Sequence, residues 1–251
     1  MLRNLTDLAQ TFLARYNLQV RRLPAPLIRQ RDAELRPSLA HAIAHHLMSH
    51  QPADFFFVQV GAYDGVTNDP LHSFVTRFHW RGILLEPQAE AFAALTATYR
   101  DEPQLILRRA AVADADGHRP LYTIRRGAPG LPTWAPQLAS FRRETLLAHR
   151  DVIPGIGALI ATEEVACVTF DTLLAPFPGL TIDLLQIDAE GADFEIIKLF
   201  HQGGRRARIV HFEHKHLSPR EHADCAAFLI ERGYSVGLAN GDSIALLDAR
   251  S

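Results

Sequence analysis

The chain of 251 residues is 47% hydrophobic, which is enough for one large domain with a substantial core and an additional segment. Its formal net charge is -2 and it has no basic run, so nucleic acid is not an expected partner. Its two cysteines provide neither a disulfide framework nor a zinc quartet, and no apolar run is long enough to span a membrane. We therefore expect a soluble cytoplasmic protein.

The first 50 residues differ in pattern from the rest of the chain. They read as amphipathic helix, with a break at Pro24-Ala25-Pro26 and a restart near Pro37. We predict a helical extension over residues 1–50 and one main domain over residues 51–251. The extension could cap a substrate site or pack against a second subunit in a homo-oligomer, and the sequence leaves both readings open.

The main domain begins with an apolar run that ends in a glycine-rich turn. Phe55 to Val60 is rich in aromatic and β-branched residues, which predicts a strand buried on both faces of a parallel sheet. Gly61 and Gly65 allow the following backbone to approach a ligand closely. Asp69-Pro70 then predicts the start of a helix. Ligands bind at this end of strands in open α/β sheets, so we expect a binding loop here.

The spacing of the loop limits the ligand. A dinucleotide loop reads G-x-G-x-x-G and a P-loop ends in G-K-[ST], whereas this loop reads G-A-Y-D-G from Gly61 to Gly65 and continues with Val66-Thr67. Neither phosphate motif is present. A loop that offers an acid and backbone groups suits a ligand with a cationic amino-acid part and no phosphate, and S-adenosylmethionine is such a ligand. We count Gln59, Gly61, Tyr63, Asp64 and Gly65 among the expected cofactor contacts.

A second strand supplies a carboxylate at the same edge. Trp80 to Leu85 reads as this strand, and Glu86 follows it about 20 residues after the loop, where doubly wound folds place the acid that holds a ribose. Glu86 can accept both ribose hydroxyls of an adenosine. Pro87 opens a helical stretch from Gln88 to Tyr99 and is also an expected cofactor contact.

The middle of the chain predicts further strands and one unusual loop. Leu105 to Val112 reads as a third strand, and Pro120 to Ile124 reads as an added one. The Gly/Pro-rich loop from residue 127 to 136 carries Trp134 and is either a lid over a site or a surface connection. A helical patch from Leu138 to His149 follows.

A fourth apolar run ends in two closely spaced carboxylates. Leu184 to Ile187 predicts a buried parallel strand, and Asp188 and Glu190 follow it beside Gly191. A helix from Ala192 to Phe200 comes next. Two acids so close to the carboxyl end of a strand indicate a site.

The last part of the chain predicts a strand, a polar cluster, a helix and a hairpin. Arg208 to Glu213 reads as a strand and leads into the cluster Glu213-His214-Lys215-His216. A helix from Pro219 to Arg232 precedes an antiparallel hairpin formed by Tyr234–Leu238 and Ser243–Leu247.

In combination, these segments resemble the FkbM family of S-adenosylmethionine-dependent methyltransferases. The resemblance covers roughly residues 55 to 247, and it rests on the order and spacing of "VQVGAYDGVTNDP", "GILLEP", "RRAAVAD", "VTFDTLL", "LLQIDAEGADFEII" and "RIVHFEH". It implies the class I methyltransferase fold, which is a Rossmann-like α/β fold with a seven-stranded, mostly parallel sheet flanked by helices. It also implies methyl transfer, usually to a hydroxyl of a sugar or small metabolite. One departure is Gln59, where many methyltransferases carry an acid.

The resemblance also implies roles for individual residues. It places Gly61, Asp64 and Gly65 around the methionine part of the cofactor, and Glu86 at the ribose. It places Ala111 against the adenine and Asp188 near the reactive methyl group.

Methyl transfer to a hydroxyl also needs a group that removes the proton. The candidates for this base are Asp188, Glu190, His214 and His216, and we predict Asp188, Glu190 and His214 as the catalytic residues. We expect no metal. The alternative is a metal site, since His211, Glu213, His214 and His216 include good ligand types and Asp188 with Glu190 could instead hold a hard divalent ion. The partner would be a small-molecule or glycan acceptor. The open alternatives are a nicotinamide-dependent oxidoreductase and a non-catalytic domain that binds a small molecule.

Overall fold

A computed structural model describes residues 38–48, 54–128, 130–239 and 241–248 of the chain. The predicted extension over residues 1–50 therefore lies mostly outside the described residues. Its described part contains helix α1 (Leu39–Leu47), whose first turn is closed by a capping box between Ser38 and His41.

The main sheet consists of the seven strands β1 (Phe56–Val60), β2 (Arg81–Leu85), β3 (Leu105–Arg108), β8 (Ile182–Ile187), β9 (Ala207–Glu213), β10 (Tyr234–Ala239) and β11 (Asp242–Leu247). They run in the order β10-β11-β9-β8-β1-β2-β3. Five of them form a parallel block in the order β9-β8-β1-β2-β3, and β11 joins this block antiparallel to β9. This arrangement confirms the predicted seven-stranded, Rossmann-like sheet and the closing hairpin between β10 and β11.

Helices cover both faces of the main sheet because its central strands are apolar on both sides. All residues of β1 and β8 are buried. One core cluster joins alternate β1 residues such as Val58 to Ile197 and Leu229, and the other joins Phe57 to Ile43 and Leu95. The covering helices are α1, α2 (His72–Phe78), α3 (Ala89–Thr98), α6 (Phe170–Leu174), α7 (Asp193–His201) and α8 (Pro219–Ile230).

A second sheet in the middle of the chain consists of the four strands β4 (Ala111–Val112), β5 (Gly117–Ile124), β6 (Ala139–Ser140) and β7 (Ile160–Val168). They run in the order β4-β7-β5-β6. The sequence predicted only one added strand there. Its long antiparallel pair joins β5 to β7 from Gly117↔Cys167 to Ile124↔Ile160. Two short helices, α4 (Arg143–Leu147) and α5 (Ile156–Leu159), lie between β6 and β7 in the chain.

Three predicted elements differ from the structure. The strand predicted from Leu105 to Val112 is wrong as one element, because β3 ends at Arg108 and β4 pairs with β7 in the other sheet. The patch from Leu138 to His149 is only partly helical, since β6 occupies its start. The helix expected at Asp69-Pro70 begins at His72, because the Asp69 carboxylate accepts the N–H of Leu71 at 2.8 Å and closes a turn before the helix.

Candidate active site

A cleft opens at the carboxyl ends of β1, β2 and β8, where the sequence predicted a ligand. Its floor is formed by the residues that follow these strands, and the second sheet forms one wall. The residues that line it include Gln59, Gly61, Tyr63, Glu86, Pro87, Ala111, Asp188 and Glu190. The structure thus brings together eight of the eleven residues predicted for the site.

The turn after β1 is packed tightly against the end of β8. The N–H groups of Gly61 and Ala62 both donate to the carbonyl oxygen of Leu85, at 3.0 Å each. Gly61 has a φ of 81°, and a Cβ at this position would lie 1.9 Å from the carbonyl oxygen of Asp188. Only glycine fits here, because both the positive φ and the contact exclude a side chain.

Glu86 supports the same turn from β2. Its carboxylate accepts the N–H of Tyr63 at 2.9 Å and the N–H of Gln88 at 2.8 Å, and the residue is 3% exposed. Burial disfavours the charged form and raises the pKa of Glu86 to about 7, although these two hydrogen bonds act in the opposite direction. Each oxygen keeps a second lone pair, so the carboxylate can accept further donors from a ligand in the cleft.

Two of the predicted cofactor residues do not line the cleft. Asp64 folds back on its own loop, where its carboxylate accepts the N–H groups of Val66 and Thr67. Gly65 packs against Tyr99, whose ring would lie 2.6 Å from an added Cβ. Both residues shape the loop, and a direct contact between either of them and a cofactor stays a prediction.

The second sheet contributes a wall that the sequence did not predict. Its members are a mixture of polar and apolar groups, namely Leu121, Gln137, Ala139, Ser140 and Phe141. Their approach depends on pairing between segments far apart in the chain, such as Tyr122↔Ser140. The local signals in the sequence were the added strand predicted from Pro120 to Ile124, which contains Leu121, and the Gly/Pro-rich loop that precedes the other four residues.

Four carboxylates meet beside the cleft, where β8 and β9 end. Asp188 is exposed to the cleft, but the protein atoms around the cleft remove much of its solvent. This desolvation, together with the charges of Glu213 and Glu190, raises the pKa of Asp188. Asp193, in the first turn of α7, is fully buried, and burial raises its pKa to about 7. Lys215 forms an ion pair with Glu213. Four acidic groups thus lie close together at this edge of the sheet, and the ion pair with Lys215 offsets the charge of one of them.

The two histidines of the predicted cluster point to different surroundings. The Nε2 atom of His216 lies 3.1 Å from Glu190 and 3.2 Å from Glu213, inside the carboxylate cluster. His214 stacks on His222 with ring centroids 4.3 Å apart, and its Nδ1 lies 2.9 Å from the hydroxyl oxygen of Ser243. His214 does not line the cleft, so its predicted role as base receives no support from its position.

Aromatic rings connect the Gly/Pro-rich loop to this cluster. The ring of Trp134 lies 5.7 Å from that of His149, which lies 5.5 Å from that of His216. Trp134 is half-buried and packs with the small core of the second sheet. The loop thus contributes both to that core and, through His149, to the surroundings of the acidic cluster.

The family can now be identified from the sequence. The model of the methyltransferase FkbM domain matches residues 59–236. The chain belongs to the methyltransferase FkbM family. S-adenosylmethionine is the methyl donor of this family, in agreement with the cofactor predicted from the sequence. The matched residues include the cleft, the second sheet and the carboxylate cluster of this FkbM domain.

Several solved structures are similar at low identity. The methyltransferase FkbM of Methylobacillus flagellatus KT is 12% identical, with a TM-score of 0.47 over 77% of this chain and 44% of that chain. The SAH-bound methyltransferase of Podospora anserina is 12% identical, with a TM-score of 0.42 over 98% and 96%. The precorrin-6y C5,15-methyltransferase of Geobacter metallireducens GS-15 is 11% identical, with a TM-score of 0.41 over 86% and 92%. No curated protein matches the chain significantly.

None of the helices in the described parts of the chain is long and apolar enough to cross a membrane.

Proposed function

We propose that this FkbM protein transfers the methyl group of S-adenosylmethionine to a hydroxyl oxygen of a sugar or another small metabolite. The observation that carries the proposal is the cleft. Glu86, whose carboxylate can accept hydrogen bonds from ribose hydroxyls, lines the same cleft as Asp188 at the acidic edge of the sheet. A donor site and an acceptor site can therefore adjoin in one pocket.

The cleft has the groups that the cofactor requires. The buried carboxylate of Glu86 would accept the ribose hydroxyls, and the turn at Gly61 would let the methionine part lie against the backbone. Ala111 and Pro87 line the cleft and would flank the adenine. When bound, the cofactor supplies a methyl group on a sulfonium, which is already reactive toward an oxygen nucleophile.

The remaining groups of the cleft suit a polar acceptor. Gln137 and Ser140 can exchange hydrogen bonds with hydroxyls, and Phe141 offers an apolar face. Asp188 lies where the two halves of the cleft meet, and its carboxylate would orient the acceptor hydroxyl and take its proton. Family membership and the missing third glycine disfavour the nicotinamide alternative.

Cofactor choice can be tested by thermal unfolding. We expect S-adenosylmethionine and S-adenosylhomocysteine at about 100 times Kd to stabilise the protein by about 2.7 kcal/mol, which corresponds to a rise in Tm of about 5–10 °C. NAD at the same concentration should leave Tm unchanged. A rise with NAD and none with S-adenosylhomocysteine would contradict the proposal. A stable complex without transfer of labelled methyl into a metabolite extract would favour the non-catalytic alternative.

The raised pKa of Glu86 predicts a pH dependence of cofactor binding. Hydroxyls that donate to Glu86 stabilise its charged form and lower its pKa from about 7, so affinity should increase as pH rises. A decrease in the pKa by about one unit would strengthen binding about fivefold between pH 6 and 8, and about tenfold over the whole titration. Calorimetric titrations across this range measure the effect.

The variant Glu86→Gln provides the control for this prediction. The amide side chain does not titrate. The cofactor affinity of Glu86→Gln should therefore be lower than that of the wild type at pH 8, and the part of its pH dependence that comes from Glu86 should be lost. A wild-type affinity that is constant from pH 6 to 8, or a slope that persists in Glu86→Gln, would show that Glu86 does not hold the ribose.

The raised pKa of Glu86 also makes the stability of the fold depend on pH. This contribution to stability decreases as pH rises, whereas the cofactor affinity increases. The folded-state pKa of about 7 lies above the ordinary value of 4.5 for a glutamate, so the stability that comes from protonated Glu86 is present below about pH 4.5 and is lost as pH rises toward 7. The ribose hydroxyls would compensate for this cost at neutral pH.

A further inference from the structure

Three side chains at the ends of β8 and β9 converge on one point beside the cleft. Glu190, Glu213 and His216 each direct one donor atom to this point, and these atoms lie within 4.8 Å of one another. The Nε2 atom of His216 is 3.1 Å from Oε2 of Glu190 and 3.2 Å from Oε2 of Glu213. Two oxygens and one imidazole nitrogen thus form a mixed donor set.

The protein alone does not satisfy these atoms. His216 has one hydrogen on Nε2 at most, and it can donate that hydrogen fully to only one of the two oxygens. Among the described residues, neither Oε2 of Glu190 nor Oε2 of Glu213 has a partner with full hydrogen-bond geometry, although both oxygens lie close to the imidazole of His216. Glu213 is 7% exposed, and an unsatisfied oxygen at that depth is costly.

Asp193, which lies near these three side chains, gives a second indication that this region binds a positively charged group. Asp193 is fully buried on α7, and its Oδ1 has no hydrogen-bond partner within the described part of the chain. Its other oxygen accepts the N–H of Gly191 at 3.2 Å, and the charge of Glu213 acts on it. With Asp188, four carboxylates share this region. Lys215 pairs with the Oε1 atom of Glu213 and leaves the converging Oε2 atoms uncovered.

We propose that Glu190, Glu213 and His216 bind one divalent transition-metal cation of the Mn²⁺ type. Donors that lie about 2.1 Å from one ion in octahedral or tetrahedral geometry are about 3.0–3.4 Å apart, and the two contacts of His216 fall in this range. Carboxylates suit Mn²⁺ and Mg²⁺, whereas an imidazole favours transition metals, so the mixed set selects a cation such as Mn²⁺. A cation would also offset the crowded negative charge.

The position of the cation site gives it a role in the proposed reaction. Glu190 lines the cleft, and Asp188 lies two residues before it, so the open coordination positions would face the acceptor. A bound cation would hold the acceptor hydroxyl and make its proton more acidic, and Asp188 would remain free to take that proton. This role rests on the proposed function, whereas the binding of the cation does not.

Cation binding can be measured on the whole chain with Mn²⁺ as the probe. After treatment with a chelator and its removal, the wild type should bind one Mn²⁺ per chain, detected as loss of the free-ion electron paramagnetic resonance signal. Glu213→Gln and His216→Ala should each weaken this binding by about 10- to 100-fold or more, because each loses a ligand. Two matched controls, Glu195→Gln on α7 and His118→Ala on β5, should bind as the wild type does.

The outcomes distinguish this proposal from the methyltransferase function. The circular dichroism spectrum and the Tm rise with S-adenosylhomocysteine show whether each variant keeps its fold and cleft. A wild type that responds to S-adenosylhomocysteine but does not bind Mn²⁺ overturns the cation site and leaves the proposed function intact. Binding of Mn²⁺ that persists unchanged in folded Glu213→Gln and His216→Ala also overturns it. Binding of Mn²⁺ without any cofactor response supports the cation site and contradicts the proposed function.

Discussion

Gly61→Ala is expected to weaken cofactor binding by about 100-fold or more and to destabilise the protein by about 2–4 kcal/mol. The added Cβ would lie 1.9 Å from the carbonyl oxygen of Asp188, and backbone atoms cannot move aside as a flexible side chain can. The turn after β1 would have to shift away from β8. Since this turn and the residue Asp188 both line the cleft, the shift would affect the binding surface directly. Calorimetry and thermal unfolding measure the two effects.

Gly179→Ala separates the steric contact from the cost of the backbone conformation. Gly179 also has a positive φ, 74°, but nothing lies within 4 Å of an added Cβ. Its substitution should cost about 1 kcal/mol, which lowers Tm by about 2–4 °C, and should not change cofactor affinity. If Gly61→Ala and Gly179→Ala behaved alike, the close approach of the β1 turn to β8 would have no role in binding.

The central strands could be predicted because their neighbours in space impose a simple pattern. A strand that is covered by helices on both faces is mostly apolar, and the runs that became β1 and β8 are buried at every residue. Their carboxyl ends meet at one edge in any parallel sheet, so Glu86 and Asp188 could be assigned to one cleft without knowledge of the fold.

The second sheet could not be predicted because its signals are not local. β4 has two residues, and β5 alternates only partly between buried and exposed positions. The sequence from Leu105 to Val112 reads as one continuous strand, whereas Arg109 and Ala110 lie between strands of two sheets. The wall of the cleft that carries Ser140 and Phe141 was missed for the same reason.

The assignment of single side chains was harder still. His214 and His216 are two positions apart just after β9, and only the path of the backbone decides which of them enters the acidic cluster. The N–H of His214 donates to the carbonyl oxygen of Gly241 at 2.9 Å, which continues the pairing with the terminal hairpin. His216 lies beyond this contact, where the chain turns toward Glu190. A pattern of residue types contains no information about that turn.

Asp188→Asn is expected to lower turnover by about 10²–10⁴-fold, because the amide cannot take the proton of the acceptor hydroxyl. It should not unfold the protein, since it removes one charge from a region where Glu190 and Glu213 repel it. Cofactor affinity should fall less than turnover, because in the proposed site Glu86 and the turn at Gly61 would also hold the methyl donor. The measurement needs an acceptor, which a screen for labelled methyl transfer into a metabolite extract would provide.

His214→Ala is the matched comparison, because His214 also follows a strand that neighbours the site. Its ring is held by Ser243 and His222 outside the cleft, so turnover and cofactor affinity should stay close to those of the wild type. The expected result is therefore a large difference in turnover between Asp188→Asn and His214→Ala at equal occupancy by the cofactor. If turnover fell as far in His214→Ala as in Asp188→Asn, the predicted base His214 would be right, and its ring would have to leave Ser243 to reach the acceptor. Rates measured at saturating cofactor, with Tm recorded for each variant, decide between these assignments.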